Sequence, residues 1–168
     1  MIIRTVSLAA GLFGAVVVAQ LPELVQQYKQ RLGGAIDEVA AIVARFDEDA
    51  ASNQLKREEA LAKLAASPDD LVRRRGEDVK LNVARLDRLL ESRRELDEAD
   101  PIGRLATFFS YADGELLAAT LEDFSPAVPT TNEGLLCGVL GFILGWTIIR
   151  LPAWPYRRWR EMRGRRHA

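Results

Sequence analysis

The residues with reactive side chains are few and poorly placed for catalysis. The one histidine, His167, is the penultimate residue, surrounded by arginines, where a solvated side chain is expected. The one cysteine, Cys137, stands in an uncharged apolar stretch, the setting of an inert small hydrophobe and not of a nucleophile. One Cys and one His exclude a disulfide framework, a Cys/His metal centre and a set of nucleophile–histidine pairs. The acidic groups Asp47-Glu48-Asp49 and Asp97-Glu98 with Asp100 have the charge to attract a divalent cation. They lack the spacing of a calcium loop, and solvated helix ends are expected. Gly33-Gly34 has no following Lys-Ser/Thr and so is no phosphate loop; it reads as a weak point or a close approach within a helix. The expectation is a non-enzymatic protein with no catalytic, cofactor-binding or metal residues.

Two other patterns carry physical consequences. Ser7, Gly11, Ala15 and Ala19 recur every four positions, Gly134 and Gly138 form a similar pair, and Cys137, Gly141 and Gly145 form another row. Rows of small residues let helix backbones approach closely, which favours association in lipid. The partner is either the other segment of the same chain or a second copy. Near the end, Trp154, Tyr156 and Trp159 interleave with Arg157, Arg158, Arg160 and Arg163. That mixture suits a short helix lying at an anionic leaflet, and it also serves as a plain topology signal.

The elements that position these rows are apolar segments. The 168 residues are 48% hydrophobic and 28% charged, but the two kinds are segregated. Val6–Leu21 and Gly134–Ile149 contain no charge. Each is a little short by itself. Arg4 reaching back to the interface, and Leu151–Trp154 beyond a snorkelling Arg150, bring each close to the ~20 residues that cross a bilayer. Buried core helices are a poor alternative, because so short a chain would need two of them. For the first segment a cleaved signal peptide is the rival reading, with Val17-Val18-Ala19 as the cleavage site.

Charge sets the orientation. Between Pro22 and Glu133 there are 15 Lys+Arg against 23 Asp+Glu, a net charge of −8, which disfavours nucleic acid as a partner. Beyond Leu151 there are six Arg against Glu161, a net of +5. Arginines beside a membrane segment stay in the cytoplasm, so both termini are expected inside and the acidic region outside, in the periplasm of an inner-membrane protein. Lys29 and Arg31 argue the other way and are outnumbered.

The acidic region reads as helix throughout. Val25, Leu32, Val39 and Phe46 return every seven positions, with Tyr28, Ala35, Ile42 and Ile36, Val43 beside them. Ser52 is placed to cap a shorter segment with Leu55, Leu61 and Leu64. Ser67-Pro68-Asp69-Asp70 is a helix start with Ser67 as N-cap, opening a helix that carries Val72, Val79, Val83, Leu86, Leu90 and Leu96. Asp100-Pro101 repeats the signal ahead of Ile102, Leu105, Phe109, Leu116, Leu117 and Leu121. Pro126 and Pro129 end the region. The expected fold is all-α: transmembrane helices at 1–21 and 131–151 flank a helical domain at 22–130, an antiparallel hairpin turning near Ser67 or a small bundle, and 152–168 is a basic tail.

Gln20-Leu21-Pro22-Glu23, Gln26-Gln27-Tyr28, Gln30-Arg31-Leu32-Gly33-Gly34-Ala35 and Asp37-Glu38 together resemble the opening of a bacterial family of uncharacterised membrane proteins, the domain of unknown function 2937. The resemblance spans roughly residues 5–50 and implies a bacterial two-anchor membrane protein. It brings no catalytic residues with it. The expected role is a scaffold or accessory subunit acting through self-association, as a homo-oligomer, or through a membrane-protein partner. The alternative is a transport accessory module that binds a lipid or a small apolar ligand.

Overall fold

The computed structural model describes residues 2–100 and 103–164, with Ile2 and 152–164 described by their backbone alone. Every regular element among them is helical: α1 (Ile2–Val18), α2 (Leu21–Ser52), α3 (Arg57–Ala65), α4 (Asp70–Glu98), α5 (Gly103–Tyr111), α6 (Gly114–Glu122) and α7 (Asn132–Gly164). The chain divides into two compact units. One is built from the chain up to Gln26 and from Phe124 onward, the other from Gln27–Asp123.

The heptad rows of α2 become its buried stripe. Val25, Tyr28, Leu32, Val39 and Val43 are buried, and Ile36 and Phe46 are half-buried. Gly33-Gly34 leaves α2 unbroken. A side-chain carbon on Gly33 would lie 3.1 Å from the Arg93 guanidinium, the flexible end of a side chain reaching over from α4, while Gly34 faces open space. Lys29 pairs with Asp97 at 2.5 Å and Arg57 with Asp47 at 2.7 Å. Lys29 and Gly33 of α2 meet Asp97 and Arg93 of α4 in reverse order, so α4 runs antiparallel to α2, while α3 packs against α4 with Gly76 of α4 tight under Leu64. The hairpin is completed by α5 and α6, whose joint rests on Tyr28. Its ring meets Phe108 edge-on at 5.2 Å, and its hydroxyl accepts from the Asp113 N–H at 2.8 Å. Ser92 donates to the Tyr111 carbonyl at 2.9 Å.

Several sequence expectations shift by a residue or two. The N-cap of α4 is Asp69, whose carboxylate accepts from the Leu71 N–H at 2.8 Å. Ser67 sits two residues earlier and accepts from the Asp69 N–H at 3.2 Å. A carboxylate serves better there than a hydroxyl because it also meets the positive end of the helix dipole. Ser52 caps nothing: it is the last residue of α2, and α3 opens at Lys56, whose N–H donates to Glu59 at 3.0 Å. The helix expected to run on from Asp100-Pro101 is divided, because Asp113 caps a new start with bonds from the Glu115 and Leu116 N–H groups, both 3.1 Å. Asp100 does accept from the Gly103 N–H at 3.2 Å; Pro101 and Ile102 lie outside the described residues. In the core, Leu89 (1% exposed) takes the place expected of Leu90 (46%), and Phe108 (1%) that of Phe109 (66%). Leu121 is exposed and Thr120 is buried, with its hydroxyl turned back to the Leu116 carbonyl.

In the other unit, α1 and α7 pack side by side. Both are apolar enough to cross a membrane, α1 when read on into α2 and α7 over Asn132–Leu151. They bury little of that surface: Leu12, Phe13, Val16, Leu140, Ile143 and Leu144 all point outward. A water-soluble core helix would cover such residues, and these are left exposed among the described residues. α7 runs on past Leu151. Pro152 and Pro155 leave the carbonyls of Ile148 and Leu151 without an intrahelical donor, yet α7 continues through them.

Candidate functional site

The α1–α7 seam is where small residues act most directly. The contacts run in opposite order along the two helices. Gly138 faces Ala15 and Ala19, Gly141 faces Gly14 and Val18, and Gly145 faces Ala10 and Gly11, so the helices are antiparallel. At the centre a side-chain carbon on Gly141 would fall on the Gly14 carbonyl oxygen and lie 2.7 Å from Val18 Cβ. One on Gly145 would fall on the Ala10 carbonyl oxygen and lie 3.3 Å from the Gly11 Cα. Backbone atoms cannot rotate away, so these glycines set the distance between the helices. Gly138 is different: its nearest neighbour would be the Ala19 Cβ at 3.6 Å, an ordinary contact.

The rows picked out from sequence therefore divide. Ser7, Gly11, Ala19, Cys137 and Gly141 are buried in unit 1, and Ala15, Gly138 and Gly145 are half-buried there. Ser7 turns its hydroxyl onto its own helix, donating to the Ile3 carbonyl at 2.7 Å. Gly11 lies under the ring of Phe142, 2.8 Å from where a side-chain carbon would begin. Gly134 is not part of the seam. It lies against Pro129, and its N–H donates to Thr131, which caps α7, at 3.1 Å. The four-residue row on α1 missed Gly14, Ala10 and Val18. A step of four overshoots the 3.6-residue turn by about 40°, so a straight seam must mix steps of three and four. Positions 7, 11, 14 and 18 follow that mixture. The side chains of Trp154, Tyr156, Arg157, Arg158, Trp159 and Arg160 lie outside the described residues. Arg150, just before them, stacks its guanidinium 4.5 Å from the Trp146 ring centre.

The Gln20-Leu21-Pro22-Glu23 stretch also has a physical reading. Pro22 has no N–H to extend α1, and the chain turns at Ala19-Gln20 before α2 begins. The Gln20 amide then makes two bonds to one residue: it donates to the Ala127 carbonyl at 3.1 Å and accepts from the Ala127 N–H at 3.0 Å. This fixes the end of α1 to the segment that leads into α7. Beside it the surface of the unit is grooved. An apolar recess of about 390 Å³ lies against Val16, Leu135, Val139 and Phe142. A second groove of about 220 Å³, of mixed lining, lies among Glu23, Gln26, Thr131 and Glu133 and the apolar Pro22 and Val128. Ala19, Pro129 and Gly134 line both.

Among the described residues no group of three or more His, Cys, Asp or Glu side chains is placed to hold a metal ion. Of the acidic residues singled out in the sequence, Asp47 and Asp97 are engaged with cations of the chain itself. Asp47 is held below the ordinary carboxylate range by its bond to Arg57, and Asp97 by its bond to Lys29, with Arg93 assisting and partial burial opposing. No match is found among the curated proteins or the solved structures. The model of a family described as "Protein of unknown function (DUF2937)" matches residues 2–161, nearly the whole chain, and the protein belongs to that family.

Proposed function

We propose that this chain is a non-enzymatic integral protein of a bacterial inner membrane, anchored by α1 and α7 as one tight antiparallel hairpin, and that its acidic helical unit serves as a scaffold or accessory subunit in the periplasm. One observation carries the reading: two apolar helices meet through glycine backbones while their bulky side chains face outward, the inverse of a water-soluble pair. Lipid is the medium that makes such an arrangement favourable, since it solvates the outward leucines and leaves close packing to hold the helices together. The six C-terminal arginines support the inside placement of both ends. A scaffold role is supported by a helical unit whose charged side chains pair with each other, as Lys29 does with Asp97 and Arg31 with Asp123.

The test has two readouts. A periplasm-active reporter fused near Ser67 should be active and one fused after His167 inactive; the opposite pattern reverses the orientation. Activity at both sites, with loss of the first 19 residues, establishes a cleaved signal peptide and a single anchor. Purified in mild detergent, the full chain should run as a defined oligomer or with one stoichiometric protein. A lone monomer removes the scaffold reading.

A further inference from the structure

The helical unit leaves several large apolar side chains in the open, among them Leu71 and Leu81 of α4, Phe109 of α5 and Leu121 of α6. They stand at different levels along it. Arg93 of α4 lies beside Gly33 of α2, and Leu71 precedes Arg93 by 22 residues, which puts it about 33 Å further from the start of α2. Phe109 is near that start, because its ring meets Phe108 at 5.2 Å and Phe108 meets Tyr28 at 5.2 Å. So is α6, whose two ends are held by Tyr28 at Asp113 and by Arg31 at Asp123, residues one turn apart on α2. This end of the unit is tethered. Its first residue, Gln27, follows the end of α1 by nine residues, and its last, Asp123, precedes α7 by nine.

The two flanks of α6 are unlike. Leu116 and Thr120 are buried. Leu117 and Leu121 lie about 100–140° round the helix to one side of Leu116, and Glu115 and Glu122 lie about 100–120° to the other. Glu115 pairs at 3.3 Å with Arg85, which is two turns of α4 further from the tether than Arg93. The acidic flank therefore faces away from the tethered end, and the apolar flank faces back toward it.

We propose that the Leu117–Leu121 flank of α6, with Phe109 of α5, seats on the lipid surface of the same bilayer that α1 and α7 cross, inserting into the headgroup region of the nearer leaflet. The proposal rests on the membrane reading above. The short tethers keep this flank within reach of lipid, and exposed apolar patches of this kind mark membrane or partner contacts. An interfacial helix buries its apolar face ~5–10 Å and keeps its charged face in water, as the Glu115–Glu122 flank requires. Charge excludes attraction to anionic lipid: α6 contains no Lys or Arg, and Arg31 and Arg85, which reach it from α2 and α4, are each paired with a carboxylate there. The contact is apolar, so neutral lipid suffices and salt does not loosen it.

The full chain is reconstituted in liposomes of choline-headgroup phospholipid. Phe109→Cys, Leu121→Cys, Leu71→Cys and Leu81→Cys are made one at a time with Cys137→Ala, and each carries a polarity-sensitive dye. All four positions are exposed, so the label leaves the core of the unit untouched. Lipids bearing a quencher high on the acyl chain should quench the dye at 109 and 121 at least about twofold more than at 71 and 81, equally in low and high salt. In the unsubstituted chain, a lipid with a photoreactive acyl chain should crosslink to residues 103–122 and not to 70–85. Equal quenching at the four positions overturns the proposal, as do crosslinks at 70–85 in place of 103–122. A blue-shifted dye at 109 and 121 that lipid does not quench also overturns it, and marks a protein partner on that flank. Quenching that needs anionic lipid and fades in high salt overturns it as well. A chain held in the liposomes through a carbonate wash but failing these tests loses only this proposal; a chain washed off by carbonate loses the membrane reading itself.

Discussion

Gly138 and Gly141 are three residues apart on one helix and tolerate a methyl group to opposite degrees. Gly141→Ala places a carbon on the Gly14 carbonyl and should weaken the α1–α7 pair by about 1–3 kcal/mol, the range for overpacking a tight contact. Gly138→Ala adds a carbon in ordinary contact with Ala19 and should change stability by less than about 0.5 kcal/mol. Thermal unfolding in detergent, with crosslinking between α1 and α7, measures both; equal behaviour of the two variants would mean that the seam is not held by backbone contact. The same contrast holds in the other unit. Leu89→Ala should cost about 2–5 kcal/mol and Leu90→Ala a small fraction of that, judged by urea unfolding. Sequence periodicity located these faces but not the residue that fills each one. Leu89-Leu90 and Phe108-Phe109 are adjacent apolar pairs, each residue is rotated by only about 100° from the next, and either can head a stripe until a neighbouring helix selects one.

At the scale of elements, helix ends decide more than helix interiors. The end of α2 is closed by a pair of bonds, Leu55 N–H to the Ala50 carbonyl at 3.0 Å and Gln54 N–H to the Ala51 carbonyl at 2.9 Å, which require Gln54 to adopt a φ of 60°. That conformation costs a non-glycine residue about 1–2 kcal/mol, so Gln54→Gly should raise the unfolding free energy by roughly 1 kcal/mol. A lower value would show that the Gln54 side chain has a contact worth more than the strain. Asp69→Ala should cost about 1 kcal/mol, and Ser67→Ala less, since Asp69 holds the N-cap. The ion pairs between elements respond to acid. Asp97 titrates below its ordinary value of 3.8 when folded, held there first by Lys29. Its contribution is complete above the unfolded value and is lost as pH falls below about 4 toward the lowered folded value. Melting curves from pH 7 to pH 3 should therefore be flatter on the acid side for Asp97→Asn than for the natural chain. The start of α6 is not legible in the sequence: Asp113-Gly114 resembles a turn in an otherwise helical stretch, and the joint is made by the Asp113 cap together with the Tyr28 hydroxyl on the Asp113 N–H.

For the molecule as a whole, the outward apolar surface of α1 and α7 sets how it can be handled. The chain should stay with membranes through an alkaline carbonate wash and leave them only with detergent; release by carbonate alone would show that the apolar faces are not in lipid. Class and layout were decided by composition. Two uncharged stretches, an acidic helical middle between them and heptad rows along α2 suffice for an all-helical chain with two apolar end helices, because burial of an apolar stripe and exclusion of charge act on residues near one another in sequence. The pairing was decided elsewhere. The small-residue rows say that backbones approach, but a row is the same whether it meets a second copy or the other end of its own chain. In the structure Gly14 lies against Gly141 and Gln20 holds Ala127, contacts more than a hundred residues apart that no local pattern encodes. Which carbonyl a glycine leaves room for depends on the partner helix being present, and that is a property of the folded chain alone.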